Sequence, residues 1–102
     1  MRAPENLTKI VDGKRYSTRT ATLLADDTYW DGSNHERMGR NTFLYRTPRG
    51  AYFTVTLSQW QGERDSLTPI SEAEARELYE GPLSEHAVSY EEAFPGAVIA
   101  EA

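Results

Sequence analysis

Cysteine is absent from the 102 residues, which excludes disulfide staples and thiolate metal sites and makes a reducing interior the easier home. Long apolar runs are missing too: nothing approaches the roughly 20 residues that a membrane-spanning helix needs. The first residues, Met1-Arg2-Ala3-Pro4-Glu5-Asn6, are polar and do not read as a secretory signal. A cytoplasmic protein without a membrane partner is the expectation. The seven glycines are dispersed beside turn residues rather than gathered into a phosphate-cradling loop. Histidine is scarce, with only His35 and His86, and no G-x-S-x-G elbow accompanies them. Nucleophilic catalysis needs a hydroxyl, an imidazole and an orienting carboxylate in contact. Nothing in the chain marks such a set, so we expect no enzyme, no catalytic residues, no metal and no cofactor.

What is present suits one small folded domain. Eleven aromatics (six Tyr, two Trp, three Phe) in a chain that is 38% hydrophobic are more than a disordered segment carries, and they are large enough to close a core of this size. Charge is uneven. Residues 1–65 hold ten Lys/Arg against eight Asp/Glu, whereas residues 66–102 hold eight acids and the single base Arg76. The last 37 residues thus carry −7 of a net −5, the front part carrying +2. Such a one-signed field attracts basic partners and argues against direct nucleic-acid binding; the plainer reading is a solvated face that keeps the chain in solution.

Along the chain, residues 1–8 read as a flexible leader, 9–96 as a single domain and 97–102 as a flexible tail. Asp12-Gly13 between two short extended runs is the pair a type I′ hairpin turn requires. Ser17–Ala21 fits a helical turn or a continuing strand, and 22–25 reads as a short strand. Residues 26–40 form a polar connection that is long for a compact domain, with Tyr29 or Trp30 expected to anchor it. Asn41–Arg46 and Ala51–Ser58 alternate apolar and polar residues around Thr47-Pro48-Arg49-Gly50, a hairpin with one packed and one wetter face. Ser71 with Glu74 is a capping box, Ile70 is placed to staple it, and Ala75, Leu78 and Tyr79 make the apolar stripe of a helix stopped by Gly81-Pro82. Ser89 with Glu92 opens a second, shorter helix. The expected fold class is α+β: a small antiparallel sheet of hairpins with a C-terminal helix and a short second helix packed on one face.

Four constellations are candidates for function. Asp26, Asp27, Asp31 and His35 supply ligand types for a divalent ion, but their spacing matches no known metal loop and Asp-rich turns arise for backbone reasons alone. Arg37, Arg40, Arg46 and Arg49 lie near Tyr45 and Tyr52, an arrangement that on a sheet could hold single-stranded nucleic acid; arginines on edge strands equally guard against strand pairing. Trp60, Glu63, Arg64 and Asp65 combine an aromatic anchor with polar groups of the kind that dominate binding hot spots, or else Trp60 caps the core while Arg64 pairs with a carboxylate. Last are the carboxylates of the C-terminal third: Glu72, Glu77, Glu80, Glu91 and Glu92.

Four segments in order, Lys9-Ile10-Val11-Asp12-Gly13-Lys14-Arg15-Tyr16-Ser17-Thr18, Thr42-Phe43-Leu44-Tyr45-Arg46-Thr47-Pro48-Arg49-Gly50-Ala51-Tyr52-Phe53, Pro69-Ile70-Ser71-Glu72-Ala73-Glu74-Ala75 and Tyr90-Glu91-Glu92-Ala93-Phe94, resemble an uncharacterised family of short bacterial and phage mobile-element proteins. The resemblance covers about residues 9–95 and carries over no catalytic residue. Many members have a glycine-rich stretch after the hairpin, where this chain has Ser58–Asp65. The resemblance implies a setting in which small acidic proteins inhibit host defence, anti-CRISPR proteins among them. In that setting Glu72, Glu80 and Glu91 would offer carboxylates where a basic nucleic-acid-binding complex expects phosphates. The resulting expectation is a non-enzymatic protein-binding protein with a basic host partner. The alternatives are a nucleic-acid accessory module on Arg37, Arg40, Arg46 and Arg49, or a domain with a structural role. Oligomeric state stays open.

Overall fold

The computed structural model describes residues 3–4, 6–28, 40–58 and 65–102. Its architecture is α+β. Strands β1 (Thr8–Val11) and β2 (Lys14–Ser17) form a two-stranded antiparallel sheet. Their turn places Asp12 at φ 53° and Gly13 at φ 73°, the two positive values that a type I′ turn demands. Strands β3 (Thr22–Asp26), β4 (Arg40–Arg46), β5 (Tyr52–Ser58), β6 (Ser66–Ile70) and β7 (Glu85–His86) form a second sheet in the order β6-β5-β4-β3-β7, every pair antiparallel. Helices α1 (Glu72–Glu80) and α2 (Tyr90–Ala93) follow β6 and β7.

The central hairpin explains the layering. Residues opposite one another in an antiparallel pair share a face, and neighbours along a strand alternate. The register pairs Phe43 with Val55 and Tyr45 with Phe53, and puts Leu44 opposite Thr54 and Arg46 opposite Tyr52 on the other side. Phe43, Tyr45, Phe53 and Val55 pack with Tyr16 and Leu67 in one buried cluster, joined by Val11 and Leu7. Leu44 and Tyr52 pack with Ala75, Tyr79, Leu83, Ala93 and Phe94 in another. The β1–β2 hairpin therefore covers one face of the large sheet and the helices cover the other.

The central hairpin differs from the sequence expectation. Alternation in the central hairpin predicts one packed and one wetter face, yet Leu44 is as buried as Phe53. The face of Leu44 and Tyr52 is roofed by Ala75, Tyr79, Ala93 and Phe94 of the helical segment, far downstream and beyond the reach of strand periodicity. Only its far half keeps the polar character, with Thr42, Thr54 and Thr56 half-buried.

Two strands escape sequence reading. In β6, Pro69 speaks against strand, but β6 is the sheet edge. A proline nitrogen cannot donate, so the Phe53–Pro69 pair is a non-hydrogen-bonded one with that nitrogen turned outward. β7 has two residues and is recognisable only by its pairing with Ala25 and Asp26 of β3. A register shift between Leu23 and Ala25 marks a bulge at Leu24, and through it both Leu24 and Ala25 enter the helix-side core. The amide of Ala87 donates to the Leu24 carbonyl at 2.9 Å. At the N-terminus the Leu7 amide donates to Thr18 Oγ1 at 2.9 Å and the Tyr45 hydroxyl to the Pro4 carbonyl at 3.2 Å, so Ala3 and Leu7 rest on the hairpin-side cluster.

Candidate functional site: an acidic helical face

The local chemistry of α1 fixes where its carboxylates point. Ser71 Oγ accepts from the Glu74 amide at 3.1 Å and Glu74 Oε1 accepts from the Ser71 amide at 3.3 Å, the reciprocal box expected from sequence. Ala75 and Tyr79 are the buried residues of the helix. At 100° per residue, Glu77 then lies on the side opposite the core, with Glu72 and Glu80 on one flank and Glu74 on the other. All four are exposed, as are Glu85, Glu91 and Glu92. In α2, Ser89 Oγ accepts from the Glu92 amide at 3.3 Å.

A relay of side chains joins the two helices. Arg76 Nε donates to the Tyr90 hydroxyl at 2.8 Å, and that hydroxyl donates to Glu80 Oε2 at 2.8 Å. The Arg76 guanidinium, 5.9 Å from the Tyr90 ring centroid, is held above its ordinary pKa first by the bond to Tyr90 and further by Glu80 and Glu72. Tyr79 packs edge-on to Tyr90 and to Phe94 at 5.5 and 5.6 Å between centroids, and its hydroxyl donates to the Val88 carbonyl at 2.7 Å. Its pKa is raised, mainly by burial and then by Glu91 and Glu92. His86 stacks on Tyr79 at 3.7 Å and its Nε2 lies 2.8 Å from the Tyr79 carbonyl, so that nitrogen carries the proton. Tyr52, reaching through from the sheet, donates to the Ala93 carbonyl at 3.0 Å.

These contacts gather Glu72, Glu80, Glu91 and Glu92 around one rigid helix pair, with Glu77 on its outer surface. Arg76 is the one base in this stretch of chain, and it is bound to a tyrosine hydroxyl. Among the described residues no glutamate of the two helices is held in an ion pair with a lysine or arginine. Sequence reading found the glutamates but not Arg76 or Tyr90 as the parts that position them. The i, i+4 spacing of Glu72, Arg76 and Glu80 was the available signal.

The other candidates fare differently. Trp60, Glu63, Arg64, Arg37, Asp31, His35, Tyr29 and Trp30 lie outside the described residues; Asp65 is exposed just before β6. Asp26 Oδ1 accepts from the amide and hydroxyl of Thr28 at 3.0 and 2.6 Å. Asp27 Oδ1 accepts from the Thr42 amide and Asn41 Nδ2 at 2.9 and 3.1 Å, so both carboxylates order the chain beside β4. No three potential metal ligands converge among the described residues. The pairing of Arg46 with Tyr52 sends Arg46 to the helix side, where its Nε is buried, while Arg49 is exposed at the tip of the β4–β5 turn.

No family model, curated protein or solved structure matches this chain. No helix among the described residues is long and apolar enough to cross a membrane.

Proposed function

We propose that the chain is a non-enzymatic protein-binding protein whose acidic helical face docks on a basic protein surface. The observation that carries this reading is the exposure of Glu72, Glu77, Glu80, Glu91 and Glu92 on one side of the sheet, in a stretch of chain whose one base, Arg76, is already bonded to Tyr90. Charge on a rigid pair of packed helices is preorganised. Binding therefore orders few side chains, and the field steers encounter with a positive partner. In its finer form the partner is a nucleic-acid-binding protein or complex of a host, and the glutamates stand in for phosphates. That form draws its support from the resemblance of four segments to the mobile-element family, in which inhibitors of host defence, anti-CRISPR proteins included, are at home.

The test is affinity capture from host lysate at low salt with the wild-type chain and with the triple variant Glu72→Lys, Glu77→Lys, Glu80→Lys. The expected result is a basic protein that elutes as salt rises and that the variant captures at least about tenfold less, since reversed rim charges act on association. A matching thermal melt shows that the variant is folded. Equal capture by both proteins would refute the acidic face as the docking surface.

A further inference from the structure

The opposite side of the molecule carries the opposite charge. The pairs Thr8–Ser17 and Ile10–Arg15 alternate with the pair Lys9–Tyr16, whose tyrosine is buried against the sheet. Thr8, Ile10, Arg15 and Ser17 therefore share the outer face of the β1–β2 hairpin. With Arg19 and Thr20, and bordered by Lys9, which as the partner of Tyr16 belongs to the other strand face, they line an open cleft of about 690 Å³. Lys9, Arg15 and Arg19 are exposed, and none of their side chains has a hydrogen-bond or ion-pair partner among the described residues. Residues 8–20 hold four Lys/Arg and one Asp. Ser17 Oγ is fixed by the Arg19 amide at 3.2 Å and by the Thr8 hydroxyl at 3.3 Å, so the Arg19 loop is bound to the strand beneath it.

We propose that this cleft binds the phosphodiester backbone of nucleic acid. Arg15 and Arg19, with Lys9 at the border and no side-chain partner for any of them among the described residues, stand beside three hydroxyls; these are the groups that take phosphate oxygens, and such contacts need no base-reading side chain. A protein partner fits the face less well. The only large apolar side chain in the cleft is Ile10, and no Trp, Tyr or Phe is present to act as the buried anchor of a protein interface. The net charge of −5 is no obstacle. The glutamates lie beyond the sheet, across stacked layers about 10 Å apart, and the screening length at physiological salt is about 8 Å. The face presented to the ligand decides the sign of the field. The protein would then hold a nucleic acid on its hairpin side and leave its helical side free, independently of what docks there.

The test is fluorescence anisotropy of a labelled single-stranded oligothymidylate titrated with the full chain at several salt concentrations. Three phosphate contacts predict a log–log salt slope of about −2, which is a loss of about twentyfold in affinity between about 50 and 200 mM salt. Arg15→Gln should lower the slope by about 0.7, and Lys9→Gln with Arg15→Gln and Arg19→Gln should weaken binding more than tenfold at low salt. Lys14→Gln removes the same charge as Arg15→Gln but lies outside the cleft, so it should leave the slope unchanged. The proposal is overturned if the wild-type chain does not bind at low salt. It is equally overturned if Lys14→Gln and Arg15→Gln act alike, or if poly-glutamate displaces the oligonucleotide as well as unlabelled oligothymidylate does.

Discussion

Tyr45 shows how one side chain records the layering around it. Its ring stacks on Phe53 at 5.2 Å and 8° between planes, Phe53 meets the edge of Tyr16 at 5.7 Å, and its hydroxyl reaches the Pro4 carbonyl. Burial, with a smaller contribution from Asp26, pushes its pKa from the ordinary 10.0 up to about 12. The unfolded chain gives up that proton first, so its stabilising effect is complete below about pH 10 and disappears as pH rises through about 12. Urea midpoints should therefore fall across that window. Tyr52 and Tyr79, also raised, act in the same direction. Tyr45→Phe should be less stable at neutral pH, having lost the bond to Pro4, but should fall less steeply, so that the two curves converge near pH 12. Parallel curves would show that Tyr45 does not titrate in this way.

Among the elements, α1 depends most visibly on local chemistry. A helix of nine residues is too short to hold itself together in water, and it begins where Ser71 and Glu74 satisfy two backbone amides. Ser71→Ala should cost about 1 kcal/mol, read as a shift in the urea midpoint with an unchanged slope. A cost near zero would mean that packing of Ala75 and Tyr79 alone starts the helix. The capping boxes, the Asp12-Gly13 turn and the central hairpin were all legible because each is written in adjacent residues. β6 and β7 were not: Pro69 is compatible with a strand only at an edge, and two residues at 85–86 carry no periodicity. Edge position and pairing partner are facts about residues far away in the chain.

At the scale of the whole molecule, one sheet separates two cores, and β4 and β5 contribute to both. Phe53 and Phe94, each fully buried, lie on opposite sides of that sheet. Shared strands couple the sides, so the chain should unfold as one unit. Phe94→Ala, at about 3–5 kcal/mol, should lower the urea midpoint followed by helical circular dichroism and the midpoint followed by amide exchange in β1 and β2 by the same amount. Separate midpoints would show that the hairpin layer stands by itself. The same layering separates charge: Arg15 and Arg19 are on one outer surface and the helical glutamates on the other.

The amino-acid order alone determined the turns, the helix caps, the strand alternation and the surplus of acid after residue 65, because each follows from the chemistry of neighbours a few positions apart. Only the tertiary structure decided that the first hairpin would leave the main sheet and cover its far face, that both faces of β4 and β5 would be roofed, and that acid and base would end on opposite sides. Strand parity fixes which side chains share a face. What covers that face depends on apolar surfaces tens of residues away finding one another.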